Sequence, residues 1–139
     1  MSRRSRTGLS IPIEEEVRVA GISSPAPHPR MVWLLQQQFG WRFSEWPPAG
    51  DSTPTPFWAH YRAITEEGHS VLLTALRTGT SLSGPGMKNL DYLLAMRGDP
   101  LAPFCEEVIQ RLKSVESVLF STEIPWAQLK NIPSGFLLF

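Results

Sequence analysis

Gly84-Pro85-Gly86-Met87-Lys88-Asn89-Leu90-Asp91-Tyr92-Leu93-Leu94-Ala95-Met96-Arg97-Gly98-Asp99 is the stretch that decides the fold. Gly84, Pro85 and Gly86 read as a tight turn, because glycine accepts left-handed backbone and proline presets φ. They lack the lysine and the following helix of a phosphate-binding loop. From Leu90 to Met96 the residues alternate as a strand does, so Leu90, Tyr92, Leu94 and Met96 share one face and Asp91 takes the other. Asp99 offers an N-cap for the next helix. Turn, strand and helix start follow one another directly, which specifies architecture rather than a reaction.

Downstream, Leu101, Phe104, Cys105, Val108, Ile109, Leu112 and Val115 trace a broad apolar stripe opposite Glu106, Glu107, Gln110, Arg111 and Lys113, predicting a helix over 101–115. Val118, Phe120, Thr122 and Ile124 then alternate as a strand that Pro125 stops. Trp126 to Lys130 has room for one helical turn, and Phe136-Leu137-Leu138-Phe139 is apolar enough to be expected to dock. Upstream, Phe57–Ile64 and Val71–Thr78 read as an antiparallel hairpin around the tip Glu66-Glu67-Gly68-His69. A first strand runs from Val17 to Ile22. Pro29 suits a helix's first turn, so a helix is expected from near Arg30 to Phe39, with Met31, Leu34, Leu35 and Phe39 inward and Gly40 as its stop. Trp41, Phe43 and Trp46 suggest a short strand before the proline-rich loop from Pro47 to Pro56.

The element order is therefore β-α-β-β-β-β-α-β. It predicts a two-layer α+β domain over residues 13–139, with a mainly antiparallel sheet of five to six strands and both helices on one face. Residues 1–12, carrying Arg3, Arg4 and Arg6 without apolar periodicity, read as a disordered basic tail.

Gly21-Ile22-Ser23-Ser24, Met31-Val32-Trp33-Leu34-Leu35, Leu90-Asp91-Tyr92-Leu93-Leu94 and the closing Phe136-Leu137-Leu138-Phe139 occur in the order seen in a bacterial family, mostly from Bacteroidetes. From about Val17 onward the chain resembles this IPExxxVDY family. Where the family pattern has Ile-Pro-Glu, this chain has Gly84-Pro85-Gly86, and Leu90-Asp91-Tyr92 stands for Val-Asp-Tyr. The resemblance implies a structural motif, a turn entering a strand, and brings no activity or cofactor with it.

Thirteen basic side chains balance thirteen acidic ones, which removes the footprint of a general nucleic-acid binder. The single cysteine, Cys105, cannot form an internal disulfide, and apolar runs stay far short of the roughly 20 residues that span a bilayer. A cytoplasmic setting away from membranes is expected. Cys105 sits on the apolar stripe, as a buried filler does. His28, His60 and His69 have no metal-ligand spacing, and consecutive Glu14, Glu15 and Glu16 diverge rather than converge on an ion. No catalytic group, cofactor or metal is expected. Asp91 and Tyr92, on opposite strand faces, are read as structural, with Asp91 bonding backbone or a cross-strand arginine such as Arg62 or Arg77.

Five tryptophans exceed what such a fold readily buries, which makes Trp41, Trp46, Trp58 and Trp126 candidate interaction residues. The expectation is a non-catalytic protein-interaction module, binding another protein or itself as a homodimer. The alternative is an RNA-associated accessory protein using the basic tail, Arg18 or Arg30, and exposed aromatics.

Overall fold

A computed structural model describes residues 17–46, 57–76 and 90–129, with backbone alone at 57, 58 and 129. The expected turn at Gly84, Pro85 and Gly86, the tail at 1–12, Glu14 to Glu16, the loop from Pro47 to Pro56 and the terminal Phe136–Phe139 lie outside the described residues.

The elements are β1 (Arg18–Ser23), α1 (His28–Phe39), β2 (Ser44–Glu45), β3 (Phe57–Ile64), β4 (Ser70–Leu76), β5 (Tyr92–Arg97), α2 (Leu101–Leu112), β6 (Phe120–Glu123) and the single turn α3 (Trp126–Leu129). The six strands make one sheet in the order β2-β3-β4-β5-β1-β6. Every pairing is antiparallel. The β3–β4 hairpin closes as the Thr65 N–H donates to the His69 carbonyl at 2.8 Å, with Gly68 at φ +95° supplying the left-handed step. β5 continues the meander, and β1 then lies between β5 and β6. Arg18, at the head of β1, grips Glu123 of β6 with two hydrogen bonds of 2.6 and 2.7 Å.

Both long helices pack on the same face of the sheet. Met31 and Leu35 of α1 and Cys105, Val108 and Leu112 of α2 join Ile22, Leu73, Leu94 and Met96 in one buried cluster. This α+β arrangement is the expected one. The opposite face is also dry: Val17, Val19, Leu72, Leu93 and Ala95 are fully buried, and Trp46 and Trp126 pack against them. Leu72-Leu73 and Leu93-Leu94 are thus inward on both sides. No helix among the described residues is long and apolar enough to cross a membrane.

Several boundaries differ from those expected. α1 begins at His28 rather than near Arg30, because Pro27 takes the extended N-cap conformation and Pro29 fits the first turn. Asp99 is not the N-cap of α2; Pro100 is, with no side-chain cap bond, and α2 ends at Leu112 rather than Val115. β5 starts at Tyr92, after Asp91 in a bend, and β6 is confined to Phe120–Glu123. The second strand shrinks to Ser44–Glu45, because Gly40, at φ +78°, turns Trp41 inward instead of along a sheet edge.

Leu112 has no exposed surface and faces the sheet. Leu112→Asp should cost about 4 kcal/mol or more by placing an unpaired charge there. A circular-dichroism melt indistinguishable from the parent's would refute this placement of α2.

Candidate functional site

Asp91 and Tyr92 act on the same segment, the connection between β1 and α1. The Ser24 N–H donates to Asp91 Oδ2 at 2.8 Å, and the Ala26 N–H donates to Ser24 Oγ at 3.1 Å. The Tyr92 hydroxyl donates to the Ala26 carbonyl. Strand alternation places the two side chains on opposite faces, but Asp91 sits in the bend before β5 and so reaches the loop that Tyr92 also holds. Arg62 instead lies over the Trp46 ring, 5.0 Å from its centroid, and Arg77 is outside the described residues. Burial, then the nearby Asp91 charge, pushes the Tyr92 hydroxyl up to about 12.

Other reactive side chains are similarly engaged or enclosed. Cys105 is fully buried, and burial pushes its thiol up to about 11. His60 is buried on the face away from the helices, with Nδ1 2.9 Å from Thr74 Oγ1, and burial lowers its pKa. His28 Nδ1 is 2.6 Å from the Tyr61 hydroxyl. Among the described residues no three His, Cys, Asp or Glu side chains converge as a metal site would require.

The tryptophans divide by environment. Trp41 is 7% exposed and stacked on Phe39 at 4.2 Å between centroids, so most of its ring is held in the core. Trp46 and Trp126 are half-buried against the face away from the helices, and the Trp58 side chain is outside the described residues. The exposed ring is Trp33, which sequence reasoning did not select: it lies 5.1 Å beneath the Arg30 guanidinium, off the stripe made by Met31, Leu34 and Leu35. That helical spacing was the signal for its exposure.

Where the β3–β4 turn meets the start of α2, the surface opens into a cavity of about 380 Å³. Phe39 and Trp41 enter from the end of α1, Phe104, Glu107 and Arg111 from successive turns of α2, and Glu67, His69 and Asp99 from the two adjoining turns. His69 is 4% exposed and its ring stacks on Phe104 at 3.9 Å between centroids, the two planes almost parallel. Its Nε2 lies 3.2 Å from the Pro100 carbonyl, which can only accept, so Nε2 carries a proton. That Nδ1 is buried without a partner. Gly98, at φ +113°, makes the close approach feasible: a Cβ there would stand 3.0 Å from the His69 Cα.

Among the described lining residues, three carboxylates, Glu67, Asp99 and Glu107, stand against one guanidinium, Arg111, a formal excess of two negative charges around the aromatic floor. Arg111 is itself engaged, donating to the Gln38 carbonyl, lying 4.6 Å from the Phe39 centroid and standing 3.7 Å from Glu107. The sequence specified the hairpin tip and the helix separately; their meeting depends on tertiary packing. Comparisons with protein-family models, curated proteins and solved structures gave no match to this chain.

Cys105 and Tyr92 both hold their protons more tightly folded than unfolded. Their contribution to stability is therefore complete below the unfolded values, ~8.5 and ~10, and is lost as pH rises through about 11 and about 12. Urea midpoints should fall between pH ~7.5 and ~10.5, and an unchanged midpoint would contradict the burial of both groups. Independently, Gly98→Ala should destabilise the domain by about 1–3 kcal/mol, since it combines positive φ with the His69 backbone contact; a variant as stable as the parent in the same assay would remove Gly98 from the frame of the cavity.

Proposed function

We propose that this chain is a non-catalytic protein-interaction module, working in the cytoplasm, whose recognition site is the aromatic-floored cavity between the β3–β4 turn and α2. The observation that carries this reading is the cavity itself: about 380 Å³ of space with Phe39, Trp41 and Phe104 at its base and charged groups at its rim. A concave space of that size, with an apolar base and convergent polar groups, is typical of recognition sites. The engagement of nearby chemistry supports the same reading. Asp91 and Tyr92 bind a loop, and Cys105 is enclosed as a thiol. The IPExxxVDY resemblance belongs to the same proposal, with Asp91-Tyr92 serving as the frame of the domain rather than as its chemistry.

One observation favours the RNA-associated alternative. Trp33, 48% exposed beneath Arg30, is a stacking platform with a cation beside it, although Glu116 stands 3.8 Å from that guanidinium. The two readings respond differently to salt. Phosphate contacts lose roughly 10³–10⁵ in affinity between about 50 and 200 mM salt when six to ten are made, whereas contacts with buried aromatics persist. Pull-downs with the parent, Glu67→Lys/Asp99→Lys and Trp33→Ala, each with and without nuclease, separate them. A nuclease-resistant partner retained by Trp33→Ala and lost by the double variant is expected. Loss on nuclease treatment, or on Trp33→Ala alone, would replace the module with the RNA reading.

A further inference from the structure

We infer that the cavity takes a cationic side chain, an arginine from a basic segment of the partner, stacked on the Trp41–Phe104 floor and paired with Glu67 and Asp99. The inference rests on the cavity being the recognition site and specifies what it recognises. Two independent features point to the same ligand chemistry. The cavity lining has three carboxylates against one guanidinium, so a cation is attracted and a phosphate or carboxylate repelled. The floor is aromatic, and ring faces attract cations, a planar guanidinium most effectively because it also stacks. In the wall, His69 is more than nine-tenths buried and its Nδ1 has no partner. That unsatisfied nitrogen marks the wall as a place where polar matching within the chain is incomplete.

The protein already contains a smaller version of the proposed contact. Arg111 lies over Phe39 with Glu107 beside it, a guanidinium between a ring and a carboxylate at one end of the cavity. Glu67 and Asp99 belong to the same lining, and both are exposed. Arginine fits better than lysine because its fork can address two carboxylates while its plane lies on a ring. A nucleic-acid backbone does not fit, since the one cation among the described lining residues, Arg111, is already bonded within the chain.

Three fluorescein-labelled heptapeptides, Gly-Gly-Xaa-Ser-Xaa-Gly-Gly with Xaa as Arg, Gln or Glu, test this on the full chain. Anisotropy reports affinity, and nuclear magnetic resonance follows the Trp41 indole and the His69 ring nitrogens. The arginine peptide should bind about tenfold or more tightly than the glutamine peptide and shift both sets of resonances, with the glutamate peptide weakest. Glu67→Gln/Asp99→Asn, two changes at exposed positions that leave the core intact, should remove most of that preference. Equal binding of the arginine and glutamine peptides, with the same resonances shifted, would overturn the cationic ligand while leaving the cavity as a recognition site. An arginine preference undiminished in the double variant would likewise overturn the assignment of Glu67 and Asp99. Failure of every peptide to perturb Trp41 or His69 would overturn both the ligand and the site.

Discussion

Dryness on both faces of the sheet is the constraint from which the rest of the domain follows. Leu72 and Leu73 in β4, and Leu93 and Leu94 in β5, point to opposite sides and are all fully buried. A strand enclosed in this way cannot leave backbone groups unpaired, because water is not present to satisfy them. β4, β5 and β1 are accordingly flanked on both sides, and the strands exposed at the sheet margins are the two shortest, β2 and β6. α1 and α2 seal one face. On the other, Trp46, Ile124 and Trp126 contribute to the buried layer.

The same constraint gives Asp91 and Tyr92 their roles. The chain leaves β1 and must enter α1 over a sheet that offers few polar partners, so the connecting loop obtains its hydrogen bonds from the neighbouring end of β5. Asp91 supplies an acceptor to Ser24, and Tyr92 supplies a donor to Ala26. His69 shows what happens at a site where this matching is incomplete. Its imidazole is pressed between Phe104 and the Gly98–Pro100 turn, with one nitrogen satisfied and the other not.

Local patterns made much of the architecture legible. The stripe of Leu101, Cys105, Val108 and Leu112 identified α2 and its buried side, and the alternation after Asp91 identified β5. The polar tip Glu66-Glu67-Gly68-His69 located the hairpin, where Gly68 takes positive φ. Ends of elements were less legible, because capping is decided by neighbours: Pro100 displaced Asp99 as the cap, and a left-handed Gly40 converted an expected strand tryptophan into a core one. The cavity was not legible at all. Trp41, Glu67, His69 and Phe104 are separated along the chain by other elements, and only packing of the β3–β4 turn against α2 places them together. Trp33 could have been found, since its helical position already set it apart from the inward stripe.

The position of β1 between β5 and β6 imposes an order of assembly on the nascent chain. As synthesis proceeds from the N-terminus, β1 emerges long before its two pairing strands, Tyr92–Arg97 and Phe120–Glu123. The hairpin of β3 and β4 can close from neighbouring residues, and β5 can extend it. Val17, Val19, Ala20 and Ile22, all buried in the finished domain, have no sheet to join until most of the chain has been made. At translation rates of about 5–20 residues per second, that interval lasts several seconds. For that time an apolar segment waits with both edges open, so the feature that makes the completed sheet continuous also leaves the unfinished chain with sticky surface that the finished domain hides.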